Sequence, residues 1–223
     1  MSNSMATSAE LRVASADMAL LSSEALPREG APDGRLLELC RSGDAHAFAR
    51  LVALHEGMVF NLAARLLGDP EEARDASQEV FLQVFRTLAR FEGRSSLRTW
   101  IFRIVVNQCR NRQRWWRRRR KDRCCPIEDL TPAQEARLPA GAQGESPYES
   151  ARRGEEARQV QAALLRLSFD HRAILLLREV QGLSCEQVAA TLRVPEGTVK
   201  SRLARAREAL RRELLPTLGG VSP

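Results

Sequence analysis

Ser184-Cys-Glu-Gln-Val-Ala-Ala-Thr-Leu192, then Arg193-Val-Pro195, then Glu196-Gly-Thr-Val-Lys-Ser-Arg-Leu-Ala-Arg-Ala-Arg-Glu-Ala-Leu210 is the stretch on which the fold turns. Ser184 followed three residues later by Gln187 is a capping box, so a short helix starts here and runs to Leu192. Arg193-Val194-Pro195 breaks it, and a longer helix spans about Glu196 to Leu214. A short helix, a turn of about three residues and a longer helix has the spacing of a helix-turn-helix. At about 100° per residue, Val199, Leu203, Ala206 and Leu210 share one narrow stripe, the face to be buried. Gly197, Ser201, Ala204, Arg205, Glu208 and Arg212 lie opposite, with Lys200 and Arg202 on the shoulders. Small, polar and cationic residues near a helix start suit the reading of base edges in a groove. An amphipathic helix with solvated arginines has the same spacing, so spacing alone leaves both readings open.

Upstream, the pattern predicts a helix around Glu155–Leu167 and another capped by Asp170 and stopped at Gly182. Residues 151–217 thus form one small helical unit, with a tail over 218–223. Residues 124–150 differ in character. Pro126, Pro132, Pro139 and Pro147 break any helix, and five acids face the single Arg137, which predicts a flexible acidic linker.

Residues 34–123 form the other unit, preceded by a Ser- and Ala-rich tail over 1–33 that is expected to be flexible. A short helix from about Arg35 stops at Ser42-Gly43. Asp44 caps a second, with Phe48, Leu51, Val52, His55, Val59, Leu62 and Leu66 spaced three and four apart, ending at Gly68. Asp69, Pro70 and Glu72 supply an N-cap, an N1 proline and a capping box for a third, whose buried face is Ala73, Ala76, Val80, Val84 and Leu88. After the Phe91–Ser95 loop, Ser96 caps a fourth through Trp100, Ile101, Ile104 and Val105. No strand pattern occurs. The fold class is all-α: a four-helix domain and a helix-turn-helix domain joined by a flexible linker.

Composition agrees. Of 223 residues, 43% are hydrophobic, enough for a core, and only 5% aromatic, a mix that favours helices over sheets. The formal charge is +7. Between Arg110 and Arg123 nine Lys or Arg face the single Asp122, so this run carries +8 and the rest +7 − 8 = −1. Such a focus points to a polyanion, either nucleic acid or an acidic membrane surface, unless it is merely a solvated tail. Cys40, Cys109, Cys124, Cys125 and Cys185 contain no C-x-x-C pair and no disulfide framework, and the adjacent Cys124-Cys125 lacks neighbouring ligands. Neither a signal peptide nor a membrane span is seen, so the expected compartment is the cytoplasm, with no membrane insertion. His46, His55 and His171 are scattered, and neither a phosphate-binding Gly loop nor metal-ligand spacing is present. No enzyme, metal or cofactor is expected.

In the fourth helix, Arg103, Asn107, Arg110 and Arg114 recur at i, i+4, i+7 and i+11. The expectation is one polar stripe opposite the Trp100–Ile104 core stripe, with Phe91 just before the helix. Cations, an amide and aromatics close together suit single-stranded DNA, whose bases can be splayed and held. The plain alternative is a core Phe and Trp beside a solvated basic face, and Trp100 reads as core.

Asp75-Ala-Ser-Gln-Glu-Val-Phe-Leu-Gln-Val-Phe85 and Phe91-Glu-Gly-Arg-Ser-Ser-Leu-Arg-Thr-Trp-Ile-Phe-Arg-Ile-Val-Val-Asn107 resemble region 2 of the sigma-70 family. Leu177-Arg-Glu-Val-Gln-Gly-Leu-Ser-Cys-Glu-Gln-Val-Ala-Ala190 and Val194-Pro-Glu-Gly-Thr-Val-Lys-Ser-Arg-Leu-Ala-Arg-Ala-Arg207 resemble region 4. With only a linker between them, the layout is similar to the extracytoplasmic-function branch. The resemblance implies an RNA polymerase sigma factor that binds promoter DNA and promotes its melting. Asp75, Gln78 and Glu79 match the surface that docks on the clamp coiled coil of the polymerase's largest subunit. Phe91 and Asn107, with Arg103 and Arg110 nearby, match the site that takes a base flipped from the −10 element. Lys200, Ser201, Arg202 and Arg205 match the readers of the −35 element. An anti-sigma factor, free or membrane-bound, is a further implied partner. Ala204 departs from relatives with a large residue there, and only Trp100 of Trp100-Ile101 matches the tryptophan pair of primary sigma factors. Trp115-Trp116 reads as a duplex- or polymerase-facing extension. The rival reading is a helix-turn-helix regulator that acts without core polymerase.

Overall fold

The computed structural model describes residues 33–122 and 147–218, with side chains over 34–119 and 154–215, and they fall into two helical units. No strand occurs among the described residues. The expected tails and most of the expected linker, with Cys124 and Cys125, lie outside them.

The first unit comprises α1 (Asp33–Arg41), α2 (Ala45–Leu67), α3 (Pro70–Thr87), a 3₁₀ turn (Leu88–Arg90) and α4 (Leu97–Asp122). Its boundaries follow from capping. Asp44 accepts from the backbone N–H groups of His46 (2.8 Å) and Ala47 (3.1 Å), and Gly68 ends α2 in the left-handed region at φ 78°. Asp69 accepts from Glu71 and Glu72, with Pro70 opening α3. The expected capping box is not how Glu72 is used: its carboxylate receives Arg112 of α4. Ser96 caps α4, accepting from the Thr99 N–H at 3.1 Å.

The core lies where α2, α3 and α4 meet. Leu51, Val59, Leu62 and Leu66 of α2 face Ala73, Ala76, Val80 and Val84 of α3, all fully buried, as the periodicity predicts. The alanines near the start of α3 let it approach α2 closely. From α4 come Ile101, Phe102, Val105 and Cys109, also fully buried. His55 is half-buried at the margin. Phe48 packs edge-on against Phe85 (5.0 Å between rings), which is itself exposed.

The second unit comprises α5 (Pro147–Arg166), α6 (Phe169–Leu175), a π-helical turn (Leu176–Val180), α7 (Cys185–Leu192) and α8 (Glu196–Leu218). Helix α5 begins inside the stretch expected to be linker. Ser168, not Asp170, caps α6, because its hydroxyl accepts from the His171 N–H while Asp170 already sits in the first turn. Ala173 through Leu177 are buried in succession, so this segment is enclosed on all sides rather than amphipathic. The π turn closes with the Gln181 N–H donating to the Leu176 carbonyl at 2.9 Å, and Gly182 (φ 69°) ends it. Arg172 is buried and donates to the carbonyls of Leu164 (3.0 Å), Leu165 (2.9 Å) and Leu167 (3.2 Å), stapling the end of α5.

The expected Ser184–Gln187 capping box is present, at 3.1 and 2.8 Å. Arg193 then turns the chain in the left-handed region, φ 55° and ψ 49°. Val199, Leu203, Ala206 and Leu210 are buried as a stripe, so α8 lies against α5, α6 and α7.

Candidate nucleic-acid interface

Because the buried stripe fixes how α8 is rotated, its outer face is settled too. Gly197, Ser201, Ala204, Arg205, Glu208 and Arg212 are all exposed, as the helical wheel requires. Lys200 is exposed and Arg202 half-buried on the shoulders. The Lys200 ammonium lies 2.8 Å from Glu196, whose hydrogen bond and then charge raise its pKa above the ordinary value. The Ser201 hydroxyl donates to the Thr198 carbonyl, while Arg207 is held by Glu179 at the π turn (Nε to Oε1, 3.1 Å). Arg205 is exposed on a face that is small on its N-terminal side, at Gly197, Ser201 and Ala204, and charged beyond it, at Glu208 and Arg212.

On α4 the picture departs from expectation. The deepest side of the helix is Ile101, Phe102, Val105, Val106 and Cys109. Trp100 (8% exposed) and Ile104 (9%) stand at the edge of that core. Asn107 follows Trp100 by seven residues, about 20° around the helix, so the polar stripe adjoins Trp100 and is not opposite it. The true opposite of the stripe is the Phe102–Val105–Cys109 face. Asn107 is exposed, and Arg103 and Arg110 are half-buried.

Phe91 is buried, its ring 5.1 Å from that of Trp100 with a 46° tilt, and its carbonyl accepts from the Arg41 guanidinium. It backs Trp100 instead of standing open. Asn107 lies two turns, about 10 Å, beyond Trp100 along the helix. Phe91 is thus buried against Trp100, while Asn107 is exposed farther along α4.

On α3, Asp75 (64% exposed), Gln78 and Glu79 (49%) present an outward face. The feature that sequence reasoning missed is Arg112. Its Nη1 lies 3.0 Å from both Glu72 Oε2 and the Glu72 carbonyl, and its Nη2 is 3.2 Å from Glu79 and 3.7 Å from Asp75. Counted with the basic run, Arg112 is in fact spent on three carboxylates. Glu72, Asp75 and Glu79 recur at i, i+3 and i+7, one acidic face that calls for a cation, and that was the available signal.

The chain matches the family descriptions Sigma-70 region 2 over residues 51–122 and Sigma-70, region 4 over residues 157–210. It is 36% identical over 190 residues to the RNA polymerase sigma-H factor of Pseudomonas aeruginosa, covering 83% of this chain and 95% of that protein. It is 33% identical over 189 residues to the ECF RNA polymerase sigma-E factor of Escherichia coli K12, covering 83% and 96%. Among solved structures, the sigma factor RpoE in complex with the anti-sigma factor NepR from Bartonella quintana is similar with a TM-score of 0.58 at 25% identity, over 75% of this chain and 96% of that one. CnrH in complex with the cytosolic domain of CnrY is similar with a TM-score of 0.55 at 28% identity, over 84% and 97%.

Proposed function

Since this chain belongs to the sigma-70 family, in its extracytoplasmic-function branch, and is an RNA polymerase sigma factor, we propose how its surfaces divide between polymerase and promoter. The first unit, over 34–123, docks on the core enzyme's clamp coiled coil through Asp75, Gln78 and Glu79. The face of α4 bearing Arg103, Asn107 and Arg110 takes the strand of the −10 element. Asn107 supplies both a donor and an acceptor for a splayed base, and the arginines take its phosphates. Phe91 serves that surface by holding Trp100 in place. Unstacking a base costs a few kcal/mol, which contacts made only by the open strand offset.

The second unit, over 151–217, reads the −35 element with Arg205 and Ser201 on base edges and Lys200 and Arg202 on phosphates. The observation that carries this division is the exposed face of α8, which runs from the small Gly197, Ser201 and Ala204 to Arg205 and is flanked by Lys200 and Arg202. Catalysis stays in the polymerase, and the chain acts in the cytoplasm. Because one structural relative is held by an anti-sigma factor and another by a partner's cytosolic domain, an anti-sigma factor anchored in the membrane is the expected regulator.

Promoter selection from genomic fragments tests the assignment. Holoenzyme reconstituted from core polymerase and the full chain should enrich fragments with −10 and −35 elements at constant spacing. The chain alone should enrich none. Equal enrichment without core would replace this reading with that of an autonomous helix-turn-helix regulator.

A further inference from the structure

Helix α8 carries six cations, Lys200, Arg202, Arg205, Arg207, Arg211 and Arg212. Among the described residues, only Arg202 and Arg205 of these stand without a carboxylate partner. The Lys200 ammonium lies 2.8 Å from Glu196, one turn earlier. Arg207 reaches across to Glu179 at the π turn, with Nε 3.1 Å from Oε1. Glu208 takes both Arg212, at 3.3 Å, and Arg211, at 3.9 Å. The remaining acid of the helix, Glu213, is turned to Arg166 of α5 at 3.7 Å.

Glu179, Glu196 and Glu208 have no part in the −35 reading, yet each sits on or beside the helix proposed to perform it. The fold accounts for two of them. Glu196 stands in the first turn, where an acid suits the helix dipole, and Glu179 ties the π turn to α8. Glu208 does neither. It is exposed on the outer face, its ion pairs are solvated, and a polyanion repels it there. A carboxylate in such a place lowers phosphate attraction in two ways. Its charge offsets that of its partner, and the partner must share or give up donors to reach a phosphate. Phosphate contacts carry no base information, so the loss falls on the sequence-independent part of binding.

We propose that Glu179, Glu196 and Glu208 set the strength of the −35 reader: by engaging Lys200, Arg207, Arg211 and Arg212 they hold down its attraction for any duplex, and firm binding is left to depend on the core enzyme. The inference rests on the reading that α8 faces the −35 element. The three carboxylates touch no base. Their removal therefore strengthens binding to all sequences alike.

The test titrates the full chain, without core polymerase, into a labelled duplex that bears no promoter element, with fluorescence anisotropy read at several salt concentrations. Glu179→Gln, Glu196→Gln and Glu208→Gln together should raise affinity at least tenfold. Each released cation that meets a phosphate should add about 0.9 to the salt slope. Circular dichroism should stay that of the parent. If Glu179→Gln disturbs the π turn, Glu196→Gln with Glu208→Gln, both exposed, should still raise affinity about threefold. In holoenzyme, the triple variant should bind every −35 sequence more tightly with their ranking kept. With Arg207→Gln already present, Glu179→Gln should have no further effect. Affinity within twofold of the parent, or a Glu179→Gln gain that persists without Arg207, would overturn the proposal. A reshuffled −35 ranking would make the carboxylates base readers and overturn it too. If Arg205→Ala leaves −35 preference as in the parent, the fault lies with the reading of α8, and the proposal falls with it.

Discussion

Arg112 grips Glu72 twice with a single nitrogen, Nη1 lying 3.0 Å from both the carboxylate and the backbone carbonyl of that residue. One guanidinium thereby ties the first turn of α3 to the middle of α4. Replacing it with glutamine should destabilise the first unit by about 1 kcal/mol, because the partners are partly solvated and screening discounts the charge term. Urea titration should show the lower midpoint. An unchanged midpoint at low salt would mean that the clamp is energetically idle.

Arg172 has no such solvent screening. It is 3% exposed and donates to three carbonyls at the end of α5. Arg172→Met keeps the volume and removes the donors, leaving those acceptors unpaired, so the second unit should lose about 3 kcal/mol. Thermal melting followed by circular dichroism would reveal it. A variant as stable as the parent would show that the carbonyls find other donors.

Arg193 carries a side chain through the left-handed region, at φ 55°. Glycine adopts that conformation without the steric penalty, so Arg193→Gly should stabilise the second unit by about 1 kcal/mol. Arg193→Val should do the reverse. The ordering Gly above Arg above Val in denaturant midpoint is the result to look for.

Cys109 is buried in the core of the first unit, and burial, partly countered by Arg112, pushes its thiol from 9.0 up to about 12. The folded pKa is raised, so the associated stability is intact below pH 9 and is lost as pH climbs toward 12. Urea midpoints measured across that window should fall for the parent and fall less for Cys109→Ala, which starts lower because of its cavity. A maleimide should meanwhile label Cys109 only when the unit unfolds.

Asn107→Ala should weaken promoter opening and leave holoenzyme formation intact, because the amide is exposed on the side of α4 proposed to take the −10 strand, about 140° around the helix from Arg112. Permanganate reactivity at the −10 element should drop while core affinity holds. Equal permanganate reactivity in parent and variant would remove Asn107 from the melting surface.

Elements that bury one stripe were legible from spacing alone: α2, α3 and α8 each keep the apolar positions that periodicity assigns. So were the caps at Asp44, Ser96 and Ser184, though not that of α6, where Ser168 and not Asp170 accepts from the His171 N–H. What spacing could not show is where a long cation reaches. Arg112 finds α3 forty residues away, and Arg172 finds a helix end behind it. Both look like ordinary surface arginines in one dimension. The side of α4 next to the polar stripe was misjudged for a related reason. The expected stripe through Trp100 and Ile104 is the edge of the core, and the pairs Ile101–Phe102 and Val105–Val106 mark its deeper side. For the binding surfaces, exposure followed from the helical wheel, while the residue roles came from resemblance.

The tryptophans have one more consequence. All three, Trp100, Trp115 and Trp116, belong to α4, and the second unit has none. Tryptophan fluorescence, excited selectively beyond the absorption of Tyr148, therefore reports on the first unit alone, with Trp100 as a shielded emitter and the other two as half-hydrated ones. Far-ultraviolet ellipticity sums over both units. Comparing the two signals along one denaturation curve separates the units optically, without any label, and selective quenching with acrylamide further separates the shielded indole from the half-hydrated pair.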